Sequence, residues 1–229
     1  VTMDIGRESS VGAIVTHGDP DSDADNALVG FDGLYRNSEW AGDKVVEARA
    51  WFQKSFTEGE DGLQAGWGGE LNYPNDRFNW RIAYRELTDD FNPALGFVNR
   101  PDIRRYTGEY RFRLRPEWIR TVDFSVWSTL ITDRENIVRS GYVYLTPFDF
   151  TTPMGDQLYM GYLYEFQRPK EPFEIYPGVV IPADAYSNQR FYWNYEGSRA
   201  RVIALAFGGE VGSFYSGSLT QIEPSIVLR

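Results

Sequence analysis

His17 is the only histidine of the chain, and a Ser-His-Asp triad would have to use it. It lies beside Gly18-Asp19-Pro20, a turn sequence, and no nucleophile-elbow motif is close to it. We therefore expect His17 to be a surface or interior residue at the end of a strand. Cysteine is absent, which excludes disulfides, thiolate metal sites and a cysteine nucleophile.

An acidic run follows this histidine and resembles a set of calcium ligands. Its carboxylates are Asp19, Asp21, Asp23 and Asp25. Counted from Asp21, Asp32 is the twelfth residue, but the sixth is Asn26 where a calcium loop requires glycine. The pattern favours a solvated loop, and the alternative is a divalent cation bound directly or as a bridge to lipopolysaccharide.

Two carboxylates about 5–10 Å apart are the requirement for glycoside cleavage. Four acidic residues fall on one side of predicted strands: Glu47, Glu70, Glu109 and Asp123. They alternate with Arg49, Arg81 and Arg111, so a charge-balanced polar surface explains them as well as catalysis does. We expect no catalytic residue, no cofactor and no metal site in this chain.

Aromatic and basic residues offer two further binding surfaces. Sugar rings could stack on Tyr142, Tyr144, Tyr159, Tyr162, Tyr164, Phe191, Tyr192 and Trp193, which could equally form a membrane girdle. An anionic headgroup could bind Arg104 and Arg105 beside Arg100, although a solvated strand end explains them too.

The elements that position these residues are predicted to be long strands. Period-2 alternation of apolar and polar residues covers residues 46–53, 63–73, 78–85, 106–115 and 203–212. These segments exceed the usual strand of about five or six residues. Turn signals between such segments predict about eleven or twelve strands or more, with long loops at 89–102 and 168–188. We expect one all-β domain over residues 1–229.

Composition excludes several classes of function. The formal net charge is −10, which argues against nucleic acid as a partner. The longest apolar run is residues 202–207, far short of the ~20 residues that a membrane-spanning helix requires. The first residues lack the basic, apolar and small-residue pattern of a signal peptide, so we expect any such peptide to have been removed or to lie outside this sequence. Aromatic residues make up 16% of the sequence, which suits strands and turns.

Alternation alone fits either a soluble sandwich or jelly roll, or a transmembrane barrel with its polarity inverted. Strand length and aromatic residues near strand ends favour an antiparallel up-and-down transmembrane β-barrel. On this hypothesis the lumen-facing residues are Glu47, Arg49, Glu70, Arg81, Arg85, Glu109, Arg111 and Arg113. The lipid-facing residues are Leu71, Trp80, Ile82, Tyr110, Phe112, Leu205 and Phe207.

The segment from Asp90 to Tyr106, with Trp80 to Leu87 before it, resembles the C-terminal region of the DUF5916 family. Ser9 to His17 and Asn26 to Asp32 resemble the first barrel hairpin of that family, and the similarity extends from Ser9 to about Pro116. Its members are bacterial surface proteins with an N-terminal domain similar to family 9 carbohydrate-binding modules, followed by an outer-membrane β-barrel-like region. The family has no established catalytic residues to carry over.

The resemblance implies a segment of a Gram-negative outer-membrane protein, a non-catalytic anchor or conduit in contact with outer-membrane lipid, with glycans or other envelope proteins as further partners. The carbohydrate-binding-like domain is not in this sequence, and the chain ends at Ile226-Val227-Leu228-Arg229 without a terminal aromatic strand. We therefore expect a piece of a longer chain. The alternatives are a soluble sandwich that binds or cleaves carbohydrate, and a subunit of a larger cell-envelope assembly.

Overall fold

The computed structural model describes residues 1–20 and 25–228, and within them the protein is all-β. Strands make up 68% of the described residues, which contain no helix. No helix in these residues is therefore long and apolar enough to cross a membrane. The prediction of an all-β chain is confirmed.

Fifteen strands are described. They are β1 (Thr2–Ile5), β2 (Ser9–His17), β3 (Asn26–Trp40), β4 (Lys44–Thr57), β5 (Ala65–Pro74), β6 (Phe78–Leu87), β7 (Ile103–Leu114), β8 (Thr121–Thr132), β9 (Val138–Thr151), β10 (Gln157–Gln167), β11 (Phe173–Tyr176), β12 (Val179–Ile181), β13 (Tyr186–Glu196), β14 (Ile203–Phe214) and β15 (Gly217–Leu228). Twelve of them have nine or more residues, which agrees with the predicted number of long strands.

Thirteen strands form one antiparallel sheet in which neighbours along the chain pair with each other. The exception is that β10 pairs with β13, because the small β11–β12 sheet is inserted between them. Among the described residues the sheet ends at β1 on one side and β15 on the other, so it is not closed. The hairpin expected at Ser9–His17 and Asn26–Asp32 is present as the β2–β3 pair.

Two predicted boundaries are wrong. Leu63 and Gln64 belong to the turn before β5, because the Gln64 side chain accepts a hydrogen bond from the Thr57 amide at 2.7 Å and donates one to the Glu60 carbonyl at 2.8 Å. The loop predicted at 168–188 ends at residue 185 and contains a hairpin, which turns at Gly178 with a positive φ of 83°.

Alternate connections of the sheet differ in length. One set comprises residues 6–8, 41–43, 75–77, 115–120, 152–156 and 197–202. The other comprises residues 18–25, 58–64, 88–102, 133–137, 168–185 and 215–216. The longest connections, 88–102 and 168–185, both belong to the second set. The lengths of the other connections in that set vary widely.

The chain divides into two compact units. The first contains Val1–Asn75, Trp80–Thr107 and Ile131–Ile137, and the second contains Asp76–Asn79, Gly108–Leu130 and Val138–Arg229. The expectation of a single domain stays a prediction.

Candidate functional site

Large apolar side chains of the first unit lie on one face of its strands and are exposed. The register pairs Phe31 with Phe52 and Ala48 with Leu71, which places all four on that face. The exposed fractions are 59% for Phe31, 45% for Phe52 and 45% for Leu71. Ile82 on β6 is 52% exposed. We call this surface the apolar face of the first unit.

Charged side chains occupy the opposite face of the same strands and pair across the ladder. Arg49 lies directly opposite Glu70, with 3.5 Å between its Nε and Oε1 of Glu70. Arg81 donates from Nη2 to Oε2 of Glu70 at 2.8 Å. Glu47 is buried and lies 3.5 Å from Nη1 of Arg36. One ion-pair network therefore contains four residues that the sequence predicts to share a face: Glu47, Arg49, Glu70 and Arg81.

The connection 88–102 covers part of this polar face. Phe91 is 5% exposed and packs with Leu28, Leu87 and Ile103 in a small buried cluster. The backbone of Asn92 donates to the Ser55 hydroxyl at 3.0 Å. The predicted loop is confirmed as a non-strand segment, and it is anchored in the first unit rather than free in solvent.

A buried ion-pair cluster joins three connected elements of the first unit. Glu86, 5% exposed, accepts from Nε of Arg104 at 3.1 Å and lies 3.4 Å from Nε of Arg134. Tyr84 donates a short hydrogen bond to the same carboxylate. Sequence analysis missed this cluster, because its members meet only through the register of β6 with β7 and the β8–β9 turn.

The second unit repeats the separation of faces. Tyr110, Leu205 and Phe207 are exposed, at 38%, 52% and 45% respectively. On the other side of β7, Arg113 binds Asp123 with two hydrogen bonds, of 2.8 Å from Nε and 2.5 Å from Nη2. Asp123 is 7% exposed. We use the terms apolar face and polar face for this unit in the same sense.

The remaining predicted residues follow the parity of their strands. Glu109 and Arg111 share the polar side of β7 with Arg113, whereas Phe112 lies on the apolar side, where its ring stacks on Phe78 at 5.0 Å. Trp80 lies on the apolar side of β6, where its ring stacks on Tyr73 at 5.8 Å. The structure shows the faces, and the contact of either face with lipid stays a prediction.

A buried arginine forms the second ion-pair network of the second unit. Arg190 on β13 is 8% exposed, donates to Glu165 on β10 at 2.9 Å, and lies 3.4 Å from Glu210 on β14. Because β13 lies between β10 and β14 in the sheet, this one side chain links three strands.

The aromatic residues predicted as one sugar-binding set are divided between the two faces. Tyr142, Tyr144, Tyr159 and Tyr192 lie on the polar face and contact one another at centroid distances of 5.5–6.3 Å. Tyr162 pairs with Phe191, and these two lie on the apolar face with Tyr164 and Trp193. The sequence analysis missed Trp127, which is 50% exposed and 6.1 Å from Tyr144.

These polar-face rings line an open cavity of about 450 Å³ in the second unit. Its walls combine Trp127, Tyr144, Tyr159 and Tyr192 with the side chains of Glu210 and other polar residues. The Tyr192 hydroxyl is fixed by Thr146 at 2.6 Å. Flat rings beside carboxylates are a surface on which a sugar ring can stack while its hydroxyls donate hydrogen bonds.

Asp156 joins two turns of the second unit. Arg201 holds it with two hydrogen bonds, one of them 2.7 Å long between Nη2 and Oδ2, and the Ser198 amide donates at 2.9 Å. These donors, the Arg201 guanidinium first, hold the pKa of Asp156 well below its usual range. The network connects the β9–β10 turn to the β13–β14 turn.

The structure describes part of the N-terminal region in which a triad histidine and a calcium loop were considered as alternatives. His17 is an exposed residue at the end of β2, and its Nε2 lies 3.1 Å from Oδ1 of Asp25. Asp21 and Asp23 lie outside the described residues. Within the described part of the chain, no three His, Cys, Asp or Glu side chains are close enough to hold a metal ion.

The acidic residues proposed for glycoside cleavage are bound to arginines where their contacts are described. Glu47, Glu70 and Asp123 each form an ion pair with an arginine. A general acid in glycoside cleavage must instead be an acid that stays protonated until it meets its substrate. These pairs indicate structural carboxylates rather than a catalytic pair.

Two of the arginines considered for headgroup binding, Arg104 and Arg105, lie on opposite faces of β7. Arg104 is directed to Glu86 and to Oδ1 of Asn136 at 2.6 Å, whereas Arg105, as the next strand residue, lies on the opposite face.

Comparison with known proteins adds nothing to this description: no family model, no curated protein and no solved structure matches the chain.

Proposed function

We propose that the chain is a segment of a bacterial outer-membrane β-barrel that serves as a membrane anchor or conduit and performs no catalysis. The observation that supports the proposal most directly is the inversion of polarity within each unit. Ile82 is 52% exposed in the first unit and Leu205 is 52% exposed in the second, whereas Glu47 and Asp123 are 9% and 7% exposed. A water-soluble protein has the opposite arrangement, with apolar residues buried and charges on the surface.

Strand length and connections support the same proposal. Strands β2–β10 and β13–β15 each have nine or more residues, and spanning a bilayer at a tilt takes about nine to eleven. The two longest connections belong to one alternate set, in keeping with the long extracellular loops and short periplasmic turns of such barrels.

Lipid contact would require both edges of the sheet to be paired, since an unpaired backbone group in hydrocarbon costs several kcal/mol. We therefore propose that strands of a longer chain pair with these edges and complete an up-and-down barrel. The resemblance to DUF5916 and the bacterial outer-membrane location belong to this proposal.

The experiment that tests the proposal is folding into phospholipid vesicles compared with folding in detergent-free buffer. The proposal predicts that the chain remains with membranes after a high-salt wash, and that unheated folded protein shifts its mobility on a denaturing gel. Retention in the soluble fraction with a sharp thermal transition would refute it. Solubilisation only as a complex with another envelope protein would favour the assembly-subunit alternative.

A second candidate function is carbohydrate binding on the polar face of the second unit. The observation that favours it is the exposure of Trp127 beside three tyrosines that line the 450 Å³ cavity. On this hypothesis soluble oligosaccharides quench tryptophan fluorescence, and Trp127→Ala removes most of the response. Trp118, which is 73% exposed in a turn, provides the matched control, because Trp118→Ala should leave the response intact.

A further inference from the structure

Arg85 and Arg105 lie opposite each other on neighbouring strands of the first unit. The rings of Tyr84 and Tyr106 are 5.2 Å apart, and Arg104 binds Glu86, so residue numbers that face each other on β6 and β7 sum to 190. This register places Arg85 directly opposite Arg105. Side chains at opposed positions have Cβ atoms about 4.5–5.5 Å apart, and like charges there are destabilising.

The other arginines of this polar network have carboxylate partners. Arg36 binds Glu47, and Arg49 and Arg81 share Glu70. In the described part of the chain, Arg85 and Arg105 form no ion pair and no hydrogen bond. The charged group that acts on Arg85 is Arg105, and the interaction is repulsive.

Trp51 lies near Arg85, in the wall of the same cavity. Gly68 is the residue opposite Arg85 on β5, because the Thr88 amide donates to the Ala65 carbonyl and thereby fixes the register. A Cβ at Gly68 would lie 2.6 Å from the Tyr84 carbonyl oxygen and 2.8 Å from Nε1 of Trp51, so the Trp51 indole packs directly against this glycine. The glycine therefore accommodates the indole ring.

A cavity of about 250 Å³ adjoins Arg85. It is lined by Arg85, Gln53, Trp51 and the 88–102 connection, including Phe91. The side-chain amide of Gln53 has no hydrogen-bond partner within residues 1–20 and 25–228. Arg85 and Gln53 therefore present donors to one space, and no described carboxylate accepts from them.

We propose that Arg85 and Arg105 bind a small oxyanion, such as phosphate or a carboxylate compound, on the polar face of the first unit. Guanidinium groups bind the oxygens of such anions through paired N–H donors. The bound anion replaces like-charge repulsion with two attractive contacts, and Gln53 adds a neutral donor. The site does not depend on whether the apolar face contacts lipid.

The test measures thermal unfolding of the full chain in sodium phosphate and in sodium chloride of equal ionic strength. We expect phosphate to raise the midpoint, and Arg85→Gln and Arg105→Gln each to abolish the increase. In chloride these two variants should melt at or above the temperature of the parent protein, because each removes one of two like charges. The matched control is Arg36→Gln, which should melt lower in chloride and keep the response to phosphate.

A direct measurement covers the case in which a variant fails to fold. The phosphorus-31 resonance of inorganic phosphate should broaden on addition of the parent protein, with an apparent affinity at least tenfold weaker for Arg85→Lys. An equal response to chloride, or Arg85→Gln melting as low in chloride as Arg36→Gln, would refute the proposal. Stabilisation by phosphatidylglycerol vesicles but not by free phosphate would also refute it, in favour of a lipid headgroup.

Discussion

Replacement of Ile82 by arginine distinguishes a lipid-facing surface from a water-facing one. Ile82 is the fifth of the ten residues of β6, so on the barrel proposal it lies close to the middle of the bilayer. An arginine facing lipid at that depth costs about 2–4 kcal/mol. In water, a substitution at a residue that is 52% exposed is expected to change stability by no more than about 0.5 kcal/mol.

Leu63 provides a control of nearly equal exposure. It is 51% exposed, but it lies in the turn between β4 and β5, outside the strands. Leu63→Arg should therefore stay within about 0.5 kcal/mol of the parent protein in either environment. Both variants place an arginine at an aliphatic residue of nearly equal exposure. They differ in that one position lies in the middle of a strand and the other lies in a turn.

The assay is a urea titration of folding into phospholipid vesicles, followed by tryptophan fluorescence. A cost of about 3 kcal/mol for Ile82→Arg reduces the folding equilibrium constant on the order of a hundredfold, since about 1.4 kcal/mol corresponds to a factor of ten. Equal free energies of unfolding for the two variants would refute the assignment of the apolar face to lipid.

Three further predictions concern contacts within a single unit. Asp156→Asn should lower the thermal midpoint at pH 7 because it removes the ion pair with Arg201. Since the folded pKa of Asp156 lies below the ordinary 3.8, this stabilisation is complete above pH 3.8 and is lost as pH falls through the folded pKa. The midpoints of the parent protein and of Asp156→Asn should therefore differ at pH 7 and converge as pH falls. Phe91→Ala should cost about 3–5 kcal/mol in chemical denaturation and speed proteolysis of the 88–102 connection, whereas unchanged proteolysis would contradict its packing. Arg113→Gln and Asp123→Asn should be non-additive by about 1–3 kcal/mol in a double-mutant cycle, and strict additivity would show that the pair is not formed.

Alternation along single strands carried most of the fold prediction. The five alternating segments lie in β4, β5, β6, β7 and β14, apart from residues 63, 64 and 115 at their ends. Parity also placed Arg49 with Glu70 and Arg81, because the side-chain period of a strand is independent of its partners. The features that depend on one strand alone were therefore accessible from the sequence.

Features that depend on register between strands were not accessible in this way. Arg104 and Arg105 are adjacent in sequence, and only the offset of β6 against β7 decides that one binds Glu86 while the other faces Arg85. The same limit applies to Trp127, whose place beside Tyr144 requires the pairing of β8 with β9. A sequence shows which side of a strand a residue occupies, but it does not show the residue opposite.

Shared charges provide a physical reason for the choice of register. Glu70 on β5 binds arginines of both neighbouring strands, and Arg190 on β13 contacts carboxylates of both of its neighbours. A slip of one residue would turn each of these side chains to the opposite face and leave its partners without a counter-charge, which disfavours the slipped register. An apolar face in lipid cannot supply this discrimination, because all apolar side chains are equivalent in hydrocarbon. The polar face therefore specifies the alignment of the strands, and an arginine pair without carboxylates, such as Arg85 with Arg105, has no such structural explanation.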